Sequence, residues 1–235
     1  MGSVLTAPVP QTPYANHHLD LRETRLKKLV GLLANERPGR LLDVGCAGGE
    51  LAALLTTFGW QVEGVEREPA LVEAARARGI SVRRADFDLE PLPWEPGTFD
   101  AAVAGEVIEH VIDTDHLLSE VARVLRLGGV LIVTTPNLAS LENRIRLLLG
   151  RYQMWVDYRV QGSGHLRYYT PRVLRHQLEQ HGFQVERHVG NWVPFLPQRW
   201  MDDRKFPWLA VTGDWWPSLA TAILMKARRD SEVRG

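Results

Sequence analysis

The 235-residue sequence predicts an α/β fold, a three-layer α/β/α sandwich on a mostly parallel seven-stranded sheet. Three observations carry this. Short apolar runs alternate with amphipathic helical patterns, which implies βαβ units and a parallel sheet. The first such run ends in a glycine-rich turn, Asp43-Val44-Gly45-Cys46-Ala47-Gly48-Gly49, of the kind that binds nucleotide-like ligands at the carboxyl edge of parallel sheets. Two further strand patterns close the chain and bring their number to seven.

In order along the chain, residues 1–16 read as a flexible arm rich in Pro, Thr and Ala, and 17–235 as one domain. Leu19, Leu26, Leu29, Val30 and Leu33 mark one face of a helix that stops before Pro38-Gly39. Strands are expected at 40–44, 60–66, 80–84, 99–104 and 130–135. Helices follow the glycine turn up to Gly59, run from Pro69 to Gly79, and present Leu117, Leu118, Val121 and Leu125 on one face. Gly128-Gly129 punctuates before the fifth strand. A helix over 138–149 and one capped by Thr170-Pro171 come next, then strands at 183–189 and 220–226. Two insertions, 151–169 and 191–217, are expected to form the acceptor side.

Composition narrows the function. Equal numbers of acids and bases, for a formal net charge of +0, give no global pull toward nucleic acid or anionic membrane. The single cysteine, Cys46, excludes an internal disulfide and fits a reducing compartment. No stretch resembles a signal peptide, and the apolar run 219–225 is too short to span a bilayer. The expectation is a soluble cytoplasmic protein without stable membrane insertion, as a monomer or homodimer.

Two cofactor classes compete for the turn. A dinucleotide fingerprint needs a glycine where Ala47 stands, and the carboxylate of Asp43 would repel a diphosphate but attract a cation. Glu66, about twenty residues on at the end of the second strand, is placed to accept hydrogen bonds from ribose hydroxyls in either class. The stretch Leu41-Leu42-Asp43-Val44-Gly45-Cys46-Ala47-Gly48-Gly49 closely resembles motif I of the class I S-adenosylmethionine-dependent methyltransferases. Glu66, the Asp86 loop with Leu92-Pro93, Phe99-Asp100 and Gly128-Gly129 follow in that family's order, and the resemblance implies that the seven-stranded sheet ends in a reversed hairpin with an antiparallel last strand.

The resemblance implies a cofactor set of Asp43, Gly45, Cys46, Ala47, Gly49, Glu66, Arg67, Asp86, Phe87, Gly105 and Glu106. In it, Asp86 accepts from the adenine amino group and Phe87 lies against the ring, with Asp88 as an alternative. Cys46 reads as a packing residue at the turn.

The segment Glu106-Val107-Ile108-Glu109-His110 bears on mechanism. Two carboxylates and an imidazole within five residues can ligate Mg²⁺ or another divalent cation if the segment turns helically. The pattern resembles the metal site of small-RNA 3′-end methyltransferases and of ubiquinone-pathway O-methyltransferases, with His165 as counterpart of the former's distant fourth ligand. The metal set is therefore Glu106, Glu109, His110 and His165, and the catalytic candidates are His110, His165 and Glu106. Without a metal, His110 or His165 is the general base.

His17 and His18 adjoin the arm. His116, His176 and His181 fall on helices as surface or capping residues, and Arg76 and Arg78 as a solvated helix face. Trp155 and Tyr158 in the first insertion, and Trp192, Phe195, Trp200, Phe206, Trp208, Trp215 and Trp216 in or beside the second, offer rigid apolar walls for an acceptor or a seal onto the core. Tryptophans beside Arg199, Arg204 and Lys205 leave room for weak membrane-surface contact. The expected activity is methyl transfer from S-adenosylmethionine to a hydroxyl of a small molecule. The alternatives are a nucleotide 2′-O-methyltransferase, an NAD-dependent oxidoreductase and a non-catalytic binding module.

Overall fold

In a computed structural model describing residues 23–154, 156, 164–195 and 205–230, seven strands form one sheet. They are β1 (Arg40–Val44), β2 (Gln61–Glu66), β3 (Ser81–Arg84), β4 (Phe99–Gly105), β5 (Leu125–Pro136), β6 (Phe183–Gly190) and β7 (Ala222–Arg229). Their order across the sheet is β3-β2-β1-β4-β5-β7-β6. Neighbours from β3 to β5 run parallel. β7 is antiparallel to both β5 and β6, so it alone is reversed.

Strand periodicity decides which side chains meet which helices, since successive residues face opposite sides of a sheet. Leu42, Val44, Ala102, Ala104, Leu131, Val133, Ile223 and Met225 share a core with Leu117 and Val121 of α4 (Thr114–Val124) and Leu174 and Leu178 of α6 (Pro171–Gln180). The intervening Leu41, Ala101, Val103, Ile132 and Leu224 pack with Leu29, Leu32 and Leu33 of α1 (Thr24–Leu33) and Leu55 of α2 (Glu50–Thr57). α3 (Pro69–Ala77) completes that second side through Val72 and Ala75. Helices therefore cover both faces, as the sequence predicts. Asp113, Ser140 and Thr170 accept backbone N–H bonds as N-caps of α4, α5 (Leu141–Leu148) and α6, the short-side-chain oxygens such positions favour.

Two features depart from expectation. β5 begins at Leu125, ahead of Gly128-Gly129, and its pairing with β4 shifts register between Phe99 and Ala101. The glycines form a bulge within the strand rather than a boundary before it: Gly128 has φ +75, and a Cβ at Gly129 would stand 2.8 Å from the Arg126 carbonyl oxygen. The second insertion also contains a helix, α7 (Leu209–Trp215), and a 3₁₀ turn, Pro217–Leu219. Leu209 packs on Trp192, both buried.

The expected arm, together with His17, His18, Leu19, Trp155, Tyr158, Arg199, Trp200 and Arg204, lies outside the described residues. Among the described residues, no helix is long and apolar enough to cross a membrane.

Candidate active site

The glycine turn sits at the carboxyl ends of β1 and β2. Gly45 (φ +64), Ala47 (φ +46) and Gly49 (φ +82) all take left-handed backbone, a region costly for residues bearing a Cβ. At Gly45 the need is also steric, because a Cβ would lie 2.7 Å from Cγ2 of Val107. The N–H groups of Gly45 and Cys46 both donate to the Val65 carbonyl, at 2.9 and 3.1 Å, tying the turn to β2. The Cys46 side chain is buried against Gly64, within the cluster that includes Val72 and Val82. Burial first, then the negative field of Asp43 and Glu66, pushes its thiol pKa far up, so it is no nucleophile.

Two carboxylates lie beneath this turn. Asp43 is 2% exposed, and its Oδ2 has no hydrogen-bond partner. Burial, and then repulsion from Glu66 and Glu50, raises its pKa to about 7. Such an oxygen is costly unless a donor or cation meets it, and the ammonium of an amino-acid ligand answers that need. Glu66 is also buried. Its Oε2 accepts from the N–H of Ala47 (3.0 Å) and its Oε1 from Arg67 (2.8 Å) and Glu68 (2.9 Å). Glu66 thus braces the turn, and a carboxylate with about four acceptor sites still has one for a hydroxyl.

Beyond β3, Asp86 is partly exposed, its Oδ1 accepting from the N–H of Asp88 at 3.2 Å. Asp88 is buried and accepts from the N–H groups of Ile112 (2.8 Å) and Asp113 (2.9 Å). It locks the loop to the start of α4, which leaves Asp86 as the better placed acceptor of the two. The Phe87 ring is buried in the main core, its Cζ 3.7 Å from where a Gly45 Cβ would be, so it supports the turn from below. Arg67 is exposed. β1, β2 and β4 run parallel, so the cofactor turn and the segment carrying Glu106 and His110 leave the sheet at one edge.

After β4 the chain turns sharply at Glu106, a left-handed residue (φ +58) following Gly105. The Glu106 carboxylate is held sideways: Thr134 Oγ1 donates to it at 2.9 Å, and the Arg25 guanidinium of α1 stands 3.7 Å away. Next comes a 3₁₀ turn, Ile108–His110. The Glu109 carbonyl accepts from the N–H groups of Leu166 (2.7 Å) and Arg167 (3.0 Å), which stitches the turn to the segment carrying His165. Glu109, His110 and His165 therefore each offer a ligand atom within 4.8 Å of the others, and the two imidazoles meet edge to face at 4.8 Å. Of the four residues in the metal set, three are brought together; Glu106 stands beside them on Arg25 and Thr134.

Electrostatics suit this trio to a cation. Glu109 is 1% exposed, and neither carboxylate oxygen has a hydrogen bond of normal geometry, although Thr135 lends some polar support. Burial, reinforced by Glu106, holds its pKa far above the usual carboxylate range. His110 Nδ1 lies 3.1 Å from the Gly164 carbonyl oxygen; a carbonyl only accepts, so Nδ1 carries the proton and Nε2 the lone pair. Burial lowers the His110 pKa, which keeps the ring neutral as a ligand or base requires. Glu109 and His165 face a small cleft with Asn137, Leu138, Met154, Arg167 and Tyr168.

Sequence reasoning missed Arg25 and Thr134 because both act from elements distant in the chain. No local spacing marks them. His116 and His181 are capping or surface residues as expected, the first hydrogen-bonded to the Glu90 carbonyl and the second to that of Gln177.

A methyltransferase domain family matches residues 16–188. The human mitochondrial ubiquinone biosynthesis O-methyltransferase is 30% identical over 188 residues, covering 73% of this chain and 50% of its own. The ubiquinone biosynthesis O-methyltransferase of Xanthomonas oryzae pv. oryzae is 39% identical over 103 residues, 42% of this chain and 43% of its own. The chain thus spans about half the length of the curated relatives it matches, or less. Among solved structures, an S-adenosylmethionine-dependent methyltransferase from Thermotoga maritima superposes with a TM-score of 0.67 at 20% identity, covering 89% of this chain and 91% of that one. At that identity the likeness speaks for the fold.

Proposed function

This chain belongs to the methyltransferase domain family, and on that premise we propose that it moves the methyl group of S-adenosylmethionine to a hydroxyl of a small molecule, aided by a divalent cation. The observation that carries the reading is the unpartnered, buried Asp43 oxygen under a left-handed glycine turn, braced by Glu66. A sulfonium amino acid carries an ammonium and no phosphate, so it suits this carboxylate where a dinucleotide does not. The hydroxyl acceptor is drawn from the ubiquinone biosynthesis O-methyltransferases it is similar to.

When bound, the cofactor supplies a methyl on a good leaving group, and a divalent cation supplies a Lewis acid that makes an acceptor hydroxyl more acidic. The chain's own residues do the rest. Asp43 receives the ammonium, Glu66 a ribose hydroxyl and Asp86 the adenine amino group. Glu109, His110 through Nε2 and His165 would hold the cation. In its absence, His165 or His110 takes the hydroxyl proton on a ring nitrogen. Leu138 and Met154 of the cleft limit water near the acceptor, and most of the rate enhancement comes from alignment.

The test is a calorimetric titration of S-adenosylhomocysteine into chelator-stripped protein, repeated with Mg²⁺ and with Glu109→Gln. Micromolar binding supports the cofactor assignment, and no binding with or without Mg²⁺ refutes it. For the metal, Mg²⁺ should raise the melting temperature of the native chain but not of Glu109→Gln. An equal response of the two proteins refutes the metal site.

A further inference from the structure

Two adjacent threonines stand near the carboxyl end of β5, and the alternation of the strand sends them to opposite faces of the sheet. Val130 and Ile132 pack on the α1 side with Leu29, whereas Leu131 and Val133 pack on the other side with Leu117 and Leu174. Thr134 therefore continues the first row and Thr135 the second, and both are fully buried. On its side Thr134 meets Arg25 of α1 at 3.4 Å and donates to Glu106 at 2.9 Å. Thr135 shares the opposite side with Ile108 of the 3₁₀ turn, whose next residue is Glu109. Two acids three residues apart are thus sorted by two neighbouring hydroxyls.

Thr135 is the odd member of its row. Residues 130–133 are all apolar, and valine at 135 would suit a buried strand equally well. A buried hydroxyl without a partner costs free energy that a methyl does not. Among the described residues, neither Thr135 Oγ1 nor either carboxylate oxygen of Glu109 has a hydrogen-bond partner of normal geometry. Burial dominates the environment of Glu109, and Thr135 is the hydroxyl that supports its charged form against it.

The donor count then decides what else is needed. A hydroxyl has one hydrogen to give, so it serves one carboxylate oxygen and leaves the other unmet. The groups beside Glu109 are His110 and His165, each with a ligand atom within 4.8 Å of it. His110 turns its Nδ1 proton to the Gly164 carbonyl, so its Nε2 brings a lone pair and no donor. A cation between lone pair and carboxylate oxygen satisfies both.

We propose that Thr135 is a positioning residue of this site: its hydroxyl donates to one Glu109 oxygen and so turns the other toward a divalent cation shared with His110 and His165. The proposal rests on the cation reading above and makes Glu109 a one-oxygen ligand. Being wholly buried, Thr135 acts on the cation only through Glu109.

Calorimetric titration of Mg²⁺ into the chelator-stripped native chain, Thr135→Val, Thr135→Ser and Thr134→Val tests it, with a metal-free melting temperature for each. Thr135→Val should weaken Mg²⁺ about 10- to 100-fold, as the loss of a ligand's hydrogen-bonding partner does. Its metal-free melting temperature should equal or exceed the native value, because a methyl replaces an unmatched hydroxyl. Thr135→Ser keeps the donor, and Thr134→Val alters the other face, so both should hold Mg²⁺ within about threefold of the native chain. A threonine with a merely structural role would show the reverse, a lower melting temperature at unchanged affinity. Native-like Mg²⁺ binding by Thr135→Val overturns the proposal, as does an equal loss in Thr135→Ser or in Thr134→Val. A native chain that binds S-adenosylhomocysteine but no Mg²⁺ sinks the cation reading itself, and the proposal with it.

Discussion

Replacing Asp43 with asparagine should move two properties in opposite directions. In the folded chain the carboxylate is fully buried and its pKa rises from 3.8 to about 7. The folded state therefore binds this proton more tightly than the unfolded state does. The group's contribution to stability is undiminished below pH 3.8 and falls as the pH climbs to about 7. Roughly three pKa units at about 1.4 kcal/mol each make ionised Asp43 a cost of about 4 kcal/mol to the ligand-free fold at pH 8. Asp43→Asn removes that cost, and for a domain this size the melting temperature at pH 8 should rise by about 10 °C. Cofactor affinity should move the other way. Losing a charge-assisted contact to the ammonium weakens S-adenosylhomocysteine about 10- to 100-fold at pH 8. In the native chain, affinity should tighten about tenfold from pH 6 to pH 8 as Asp43 ionises, and in Asp43→Asn it should stay flat. Scanning calorimetry and titration calorimetry at the two pH values read both effects. A native affinity independent of pH, or an asparagine variant that binds equally well at pH 8, would refute the placement of the ammonium on Asp43.

Glu66→Ala leaves the N–H groups of Ala47, Arg67 and Glu68 without their acceptor; it should cost about 2 kcal/mol or more in urea unfolding and weaken S-adenosylhomocysteine at least about tenfold. Unchanged affinity would exclude Glu66 as a ribose ligand. Gly45→Ala must accept φ +64 and a 2.7 Å approach to Val107, so it should lose about 1–3 kcal/mol and most cofactor binding; a neutral effect on both would contradict the turn geometry. His188 is half-buried, its Nε2 shielded and unpartnered, and its pKa is depressed to about 4 by desolvation and by Arg175. Its contribution is present above pH 6.5 and lost as the pH falls toward 4, because the unfolded chain takes up the proton first. Denaturant midpoints should therefore fall from pH 7 to pH 5 more steeply in the native chain than in His188→Gln.

Much of this architecture is determined by local sequence. The alternation that places Leu42 and Leu41 on opposite faces, the glycines that permit left-handed backbone, and the short polar caps at Asp113, Ser140 and Thr170 act over a few residues, so strand and helix positions can be read from the chain. The β5 bulge was not legible, because Gly128-Gly129 ends a strand as readily as it kinks one and only the pairing with β4 decides between them. α7 was hidden because Trp, Pro and Gly obscure its period, and its stability comes from Leu209 packing on Trp192.

For the site, the strand pattern of the sequence already says which chemical groups reach the carboxyl edge: Asp43 and Glu66 lie in the last two residues of β1 and β2, and Asp86, Glu109 and His110 follow β3 and β4. Contacts between distant segments select which of them act together. Glu106 and Glu109 are equally acidic in sequence. Arg25, eighty-one residues before Glu106, and Thr134 on β5 hold the first aside, while the backbone bonds from Leu166 and Arg167 bring His165 to the second. The same holds for α5, whose one buried side chain is Asn143. Burial belongs to what packs across a helix, and Asn143 won the inward position because its amide finds partners there that a leucine could not use.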